Sequence, residues 1–284
     1  MLFENVSKEL KKLIDANYNN EVAEWLESKL VEIVKNKSVK DLYLTYSLIN
    51  SKVSSDKDLT YPSDVSEIIS YLKNHKANQL QLGRVYMLVK VLESDEAFFT
   101  PKISNIIQVA DTAELETFLK YLVLLPNPDA YKNTAVDTLR TNITPIFDAI
   151  SLNNPYPSIY FNKSQWNQMY LKAAFMQRDL SLIMDIDKKA NKQLARIISD
   201  FAHERWAASR DVDPLFWRPV SQFIDNALLN DMKKLFESSN ENERIAAALC
   251  CSASEDTEAK ALLNNYPELK QKIDQQEISW ETIN

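Results

Sequence analysis

The chain has 284 residues, 45% of them hydrophobic and 26% charged, a composition typical of folded globular proteins. Its 33 basic and 40 acidic side chains give a net charge of −7, which argues against binding of duplex nucleic acid through a basic surface. The single glycine, Gly83, excludes the Rossmann fingerprint, the P-loop and the kinase glycine loop, because each needs several glycines near phosphate.

Apolar residues recur with helical spacing along most of the chain. The pattern i, i+3, i+4, i+7 is clear at Val85, Leu88, Val89 and Leu92, and alternating runs of strand length are hard to find. Helix starts are predicted at residues 63–67 and at Asp213-Pro214. We predict an all-α protein without significant β-sheet, an irregular α-solenoid or HEAT-like array of roughly 14–16 helices. An irregular helical bundle is the alternative.

Asparagine and proline mark the predicted helix boundaries. We expect asparagines, in place of glycine, at left-handed helix ends, at Asn17–Asn20, Asn36, Asn74, Asn153–Asn154 and Asn264–Asn265. We predict a single helical unit over residues 1–284. Within it, 1–125 would form N-terminal helical repeats, 126–163 a Pro-rich ordered loop region that lies across the helices, and 164–284 a C-terminal helical region.

The cysteines and the N-terminal segment suggest a reducing compartment. Cys250 and Cys251 are adjacent in a helical run, so they cannot form an ordinary disulfide with each other. They belong to no Cys-x-x-Cys motif, and we predict neither a metal site nor a cofactor. The N-terminal segment is amphipathic and does not resemble a signal peptide, and no segment has the length and apolarity of a membrane span. We therefore expect a cytoplasmic protein without membrane insertion.

The segment from about Lys188 to Ala208 is predicted to be one helix. On projection, Ala190, Leu194, Ile197, Ile198 and Phe201 form an apolar stripe, and Arg205 continues it. A guanidinium directed at a core needs a partner. Five carboxylates are candidates: Asp200, Glu204, Asp185, Asp187 and Asp211. The alternative is that Arg205 ties the loop after the helix to its neighbour.

The opposite face of this predicted helix is basic and aromatic. It carries Lys192, Arg196, Ser199, His203, Trp206 and Arg210. Arginine and tryptophan together are typical of a site for a planar or anionic ligand, or of a protein interface. A solvated face with locally packed Trp206 is equally open. His203-Glu204 lacks the second histidine of the zinc-protease motif.

Asn167 is a polar residue on a predicted apolar face. It lies among Trp166, Tyr170, Leu171 and Ala174 in the helical projection. A buried amide needs hydrogen-bond partners, and the backbone of the preceding NPYP loop is the simplest one. We expect a structural role for Asn167 more than contact with a ligand.

These same segments resemble the EboA family over about residues 149–263. The matching stretches are AISLNNPYPSIYF (149–161), QWNQMYLKAAF (165–175), DIDKKANKQLARIISDFAHERWAASR (185–210), DPLFWRPV (213–220) and, more weakly, ERIAAALCCSASEDTEAKALL (243–263). The family usually has glycine where Ser209 stands, and Pro219 should kink or shorten the helix that Asp213-Pro214 begins.

The resemblance implies an accessory role in a biosynthetic pathway. EboA-like proteins are similar to components of bacterial and algal gene clusters that make, or move toward the periplasm, a secondary-metabolite precursor. In cyanobacteria this precursor is a sunscreen-pigment monomer. The resemblance provides no catalytic residues. We take as candidate ligand or partner contacts Asn154, Tyr156, Asn167, Lys172, His203, Trp206, Arg210, Trp217 and Arg218, and as structural polar residues Asp187, Asn191, Glu204 and Arg205.

Three functions remain open at this point. The first is a non-enzymatic accessory protein that binds a small metabolite or another protein of the same pathway, in a groove lined by His203, Trp206 and Arg210 or by the NPYP loop. The second is an enzyme that uses His203 and Glu204. The third is a protein-interaction scaffold, a common role of α-solenoids.

Overall fold

The computed structural model describes residues 3–63 and 66–283, which divide into two compact units. The first covers residues 1–161 and the second residues 162–284. Helices of the first unit are α1 Val6–Asn17, α2 Asn20–Asn36, α3 Val39–Leu48, α4 Glu67–Asn74, α5 Gln79–Ser94, α6 Glu96–Ser104, α7 Thr112–Lys120, α8 Lys132–Thr138, α9 Thr144–Ser151 and α10 Tyr156–Tyr160. Four 3-10 helices complete it: Ile49–Ser51, Asn105–Gln108, Leu122–Leu124 and Pro128–Tyr131.

The second unit has seven α-helices and three 3-10 helices among its described residues. The α-helices are α11 Lys163–Phe175, α12 Ile186–Lys189, α13 Lys192–Ala207, α14 Asn226–Phe236, α15 Glu241–Ala253, α16 Thr257–Leu263 and α17 Pro267–Asp274. The 3-10 helices are Leu180–Leu182, Pro214–Phe223 and Trp280–Thr282.

The all-α prediction is confirmed. Over the described residues the only β pairing is an isolated bridge between Asp58 and Asn78. Seventeen α-helices are present there, slightly more than the predicted number, because short segments count as helices of their own. The regular stacking of a solenoid and the single unit over 1–284 stay predictions.

Residues 126–163, predicted to be an ordered loop region, contain three α-helices. Pro145 and Pro157 occupy the first turns of α9 and α10, where proline costs no hydrogen bond because those N–H groups have no helical partner. These prolines therefore mark the starts of helices and not a region of loop. Pro219 was expected to kink or shorten a helix. The segment that contains it, from Pro214 to Phe223, is a 3-10 helix throughout.

Asparagines serve as N-caps of helices more often than as left-handed residues at helix ends. The side chains of Asn19, Asn78, Asn162, Asn191 and Asn240 each accept a backbone N–H as N-caps. Of the predicted left-handed asparagines only Asn153 has a positive φ. The other left-handed positions are Asn5, Lys37, Lys76, Asn127, Gln177, Asp185, Ser209 and Gln276. The expectation was wrong because a short amide side chain satisfies the free N–H groups of a helix start equally well.

The predicted start at residues 63–67 includes Asp64 and Val65, which lie outside the described residues. Helix α4 begins at Glu67, and the Ser66 hydroxyl accepts the N–H of Ile69 as its N-cap.

Helix α5 is the buried centre of the first unit, and α1, α2 and α7 pack on it. Gly83 lies where the Tyr18 hydroxyl, which donates to the carbonyl of Gln79, approaches the α5 backbone. Arg84 is buried beside Glu114, with 3.4 Å between Nη2 and Oε1. This buried ion pair was not predicted, although Arg84 interrupts an apolar run.

The second unit is built around α15 and the 3-10 helix Pro214–Phe223. Three aromatic rings stack in parallel, Trp166 on Tyr170 and Tyr170 on Phe216, with centroids 5.4 and 5.7 Å apart. Cys250 and Cys251 are buried on α15, and burial raises the pKa of both thiols. None of the described helices is long and apolar enough to span a lipid bilayer.

Candidate functional site

The helix that carries the predicted site begins at Lys192, not near Lys188. Ala190 and Asn191 separate it from the short helix α12, because the Asn191 side chain accepts the N–H of Leu194 and caps a new helix. The buried face of α13 consists of Leu194, Ala195, Ile198, Ser199 and Ala202. It is rotated from the predicted apolar stripe toward the predicted basic stripe, so that Ser199 is buried.

His203 is held by a carboxylate of the neighbouring helix α14. Its Nε2 lies 2.6 Å from Oδ1 of Asp231, whose Oδ2 accepts the hydroxyl of Ser199 at 2.6 Å. Because a carboxylate only accepts hydrogen bonds, Nε2 carries the proton of this pair. The other ring nitrogen, Nδ1, has no hydrogen bond to the described residues, and in the neutral imidazole it is an acceptor. Asp231 thereby fixes both the tautomer and the orientation of the imidazole.

Asp231 was missed by the sequence analysis, although the sequence contains a signal for it. In α14 it stands between the buried Leu228 and Leu235, three residues after the first and four before the second, so it lies on the apolar face. A carboxylate at such a position needs donors. A projection of 226–236 therefore identifies Asp231 as a buried acceptor.

His203 and Trp206 line one cleft of about 630 Å³ with Asp231 and Lys234, which we call the imidazole cleft. The Lys234 ammonium lies 3.9 Å from the centroid of the Trp206 ring, a cation–π contact. Trp206 also stacks on the buried Trp217, with 5.7 Å between their centroids. A cation, an imidazole with a free acceptor and an indole therefore meet at one surface.

Arg210 lies elsewhere. It follows the end of α13 and lines a second cleft of about 480 Å³ with Arg205, Phe201 and Asp213, which we call the guanidinium cleft. The Arg205 Nε donates to the carbonyl of Asp211 at 2.8 Å, so the partner found is a backbone carbonyl of the loop after the helix and not one of the candidate carboxylates. The groove predicted to combine His203, Trp206 and Arg210 is thus divided between two clefts.

Arg218 pairs with Asp187 through two of its nitrogens. Nε and Nη2 lie 3.0 and 2.7 Å from the two oxygens of Asp187, and Nη1 lies 3.5 Å from Glu281. The hydrogen bonds to Asp187 raise the pKa of Arg218 further. This guanidinium is already paired, which favours a structural role.

Asn154 and Tyr156 are buried in the first unit and hold its last loop. The Asn154 amide donates to the carbonyls of Leu119 and Ala149, and its oxygen accepts the N–H of Tyr156. The Tyr156 hydroxyl donates to the carbonyl of Pro128 at 2.8 Å. With both side chains fully used inside the protein, their contacts favour a structural role over the predicted ligand contact.

Asn167 exchanges hydrogen bonds with Asn191. Asn191 Nδ2 donates to Asn167 Oδ1 at 2.9 Å, and Asn167 Nδ2 donates back at 3.3 Å. The partner found is thus the amide that caps α13, whereas the sequence suggested the NPYP backbone. Lys172 lies on the same helix as Asn167, half-exposed, and partial burial lowers its pKa.

Glu204 is exposed and is not among the residues that line the imidazole cleft. Adjacent helical positions diverge by about 100°, so His203 and Glu204 do not converge. Within the described part of the chain, no group of three or more His, Cys, Asp or Glu side chains is placed to hold a metal ion.

Comparison with known families decides the identity of the chain. A model of the family described as "metabolite traffic protein EboA" matches residues 6–221. The chain belongs to the EboA family. No curated protein and no solved structure matches it significantly.

The EboA match covers residues 6–221, whereas the resemblance in the sequence covers about residues 149–263. It begins at residue 6, so it includes the N-terminal helices in which no resemblance was recognised. It ends at residue 221, before the weaker stretch 243–263. The guanidinium cleft lies wholly within the matched residues, whereas Asp231 and Lys234 of the imidazole cleft follow them.

Proposed function

We propose that this EboA protein is a non-enzymatic accessory protein of an Ebo-type pathway for a secondary-metabolite precursor. In this role it binds a small metabolite in the imidazole cleft. One observation carries the proposal: Asp231 fixes His203 through Nε2, so that the second ring nitrogen of this cleft-lining residue, Nδ1, is unused by the protein and accepts a hydrogen bond when the imidazole is neutral. The family's description as a metabolite traffic protein supports binding as the role of such a site.

The chemistry of the cleft suggests the kind of metabolite. Nδ1 of His203 accepts a hydroxyl or N–H, and the Lys234 ammonium attracts an anionic or electron-rich group. The half-buried Trp206, whose ring already contacts Lys234 and Trp217, adds apolar surface to the cleft. A planar metabolite with a hydrogen-bond donor and a partial or full negative charge satisfies all three groups.

The arrangement of Ser199, Asp231 and His203 argues for binding and against nucleophilic catalysis. A serine nucleophile gives its proton to an imidazole. Here the Ser199 hydroxyl is buried and donates to Asp231, and the same carboxylate accepts from His203. The alternative enzyme that uses His203 with Glu204 loses support, because Glu204 does not line the cleft.

A scaffold that binds only another protein of the pathway is the other alternative. It predicts retention of a protein and no retained metabolite. Cytoplasmic location and the absence of nucleic-acid partners stay predictions that follow from the sequence.

Mass spectrometry of molecules that co-purify with the protein tests the proposal. We expect a small molecule to be retained when the protein is isolated under native conditions from cells with the complete pathway. His203→Ala should lose it, because the imidazole that contacts it is removed. Lys192→Ala is the matched control, since Lys192 is exposed on the same helix and outside the cleft; it should retain the molecule.

Three other outcomes contradict the proposal. Absence of any retained small molecule, with a pathway protein retained instead, favours the scaffold. Equal retention by wild type and His203→Ala would show that the molecule does not bind in the imidazole cleft. Conversion of the released molecule to a new mass by the wild-type protein shows an enzyme.

A further inference from the structure

The second cleft beside α13 contains an arginine whose orientation is fixed but whose terminal nitrogens are unused. Arg205 Nε donates to the Asp211 carbonyl at 2.8 Å, and the guanidinium carbon lies 6.0 Å from the centroid of Phe201. These contacts hold the planar group in place. Nη1 and Nη2 have no hydrogen-bond partner among the described residues, so they remain available to an acceptor in the cleft.

Arg210 adds a second guanidinium to this cleft. It is exposed, and neither it nor Arg205 forms an ion pair within 4.0 Å among the described residues. Arg218 in the same unit differs from both, because its guanidinium already binds the carboxylates of Asp187 and Glu281. The cleft therefore presents two guanidinium groups that form no ion pair of their own, although two carboxylates also line it.

The cleft also has an aromatic lining. Phe201 and the buried Phe216 line it, and their rings pack edge to face with centroids 5.1 Å apart. A volume of about 480 Å³ suits a small organic molecule. Recognition by these groups requires an anion that carries an apolar, preferably aromatic, body.

Two carboxylates at the cleft restrict the charge of that anion. Asp211 and Asp213 both line it, and Asp213 uses one oxygen to cap the following 3-10 helix through the N–H of Leu215. Burial of its carboxyl raises the pKa of Asp213, although the residue as a whole remains exposed. Further negative charge is therefore unfavourable nearby, which disfavours a dianionic phosphate and favours a planar monoanion.

We propose that the guanidinium cleft binds the carboxylate of a small aromatic acid. The terminal nitrogens of Arg205 bind the two carboxylate oxygens, Arg210 adds positive charge, and the aromatic body packs on Phe201. This site is separate from the imidazole cleft and goes beyond the function proposed above.

Fluorine NMR with 4-fluorophenylacetate as the probe tests the site. We expect a concentration-dependent change of its resonance with wild-type protein. Arg205→Gln should weaken binding about tenfold or more, because it removes a charge-assisted pair of hydrogen bonds. Arg205→Lys keeps the charge and loses the fork, so its loss should be partial. Arg196→Gln is the matched control, an exposed arginine of α13 outside the cleft, and should bind as the wild type does.

Because Arg205 also supports the loop, three measurements avoid dependence on that variant. On wild-type protein, 4-fluorophenylacetamide should bind far more weakly than the acid, and inorganic phosphate should not displace the acid at equal concentration. Asp213→Asn should strengthen binding of the acid. No response to millimolar acid, equal binding of acid and amide, or displacement by phosphate overturns the proposal. None of these results bears on metabolite retention by the imidazole cleft.

Discussion

The hydroxyl of Tyr18 occupies the space that a Cβ atom on Gly83 would need. The chain's single glycine therefore stands at an α5 position where another side chain lies against the helix backbone. Its backbone is ordinary helix with a negative φ, so the requirement is one of space and not of conformation.

Gly83→Ala should destabilise the protein by about 1–2 kcal/mol, because overpacking outweighs the better helix propensity of alanine. The measurement is urea unfolding, combined with Tyr18→Phe in a double-mutant cycle. Without the hydroxyl, alanine at position 83 should cost clearly less, because only the contact with Ile49 Cγ2, 3.1 Å away, stays tight. A cost that is the same in both backgrounds contradicts the explanation.

Asn167 and Asn191 form an amide pair whose contributions to the free energy of unfolding should be coupled. Asn191→Ala removes the cap of α13 and leaves a buried amide unpaired, so we expect a loss of about 2–3 kcal/mol. Asn240→Ala, which removes the exposed cap of α15, should cost only about 1 kcal/mol.

The double variant Asn167→Ala/Asn191→Ala provides the check on this pair. Its loss, measured by chemical unfolding, should be clearly smaller than the sum of the two single losses, since both singles break the same hydrogen bonds. Additive losses would show that the two amides act independently.

Ser209→Gly should stabilise the protein by about 1 kcal/mol. Ser209 has a φ of 54°, a left-handed conformation that costs a residue with a Cβ but not glycine. Ser252→Gly is the control, because Ser252 is exposed in the helix α15 and should lose stability there. Thermal unfolding of the two variants should therefore shift in opposite directions from the wild type.

His75 should make the first unit sensitive to mild acid. Burial lowers its pKa from the ordinary value of 6.5, while Nδ1 donates to the carbonyl of Tyr71. The unfolded state then binds the proton more readily, so stability is full above pH 6.5 and decreases as the pH falls toward the folded-state pKa.

Thermal unfolding between pH 7 and about pH 5.5 measures this effect, since most carboxylates stay ionised in that window. His75→Phe should be less stable at pH 7, since it loses the hydrogen bond to Tyr71, but its stability should change less across the window. An identical pH dependence of variant and wild type would show that His75 does not contribute.

The helices could be predicted from sequence because helical periodicity is a local property. The break at Ala190–Asn191 was missed because apolar residues keep their spacing across it, while the cap is a single side chain whose role depends on its backbone. The prolines of 126–163 led to a wrong prediction of a loop region for a similar reason. Proline is common both after the end of a helix and in the first turn of the next, and here it occupies first turns.

The candidate site was partly predictable. His203 and Trp206 lie three residues apart on one helix, so projection brings them together correctly. Arg210 follows the helix end at Ala207, where helical projection no longer applies, and it lines a different cleft. Asp231 and Lys234 come from another helix, and only tertiary packing brings them to His203.

The adjacent thiols of α15 provide a natural reporter of unfolding. Both are buried, and both belong to the second unit, while the first unit has no cysteine. Thiolate is the reactive form, and burial suppresses both its formation and its access to reagents. Pulsed alkylation therefore measures how often the core around α15 opens to solvent, without any introduced label, and it separates that opening from events in the first unit.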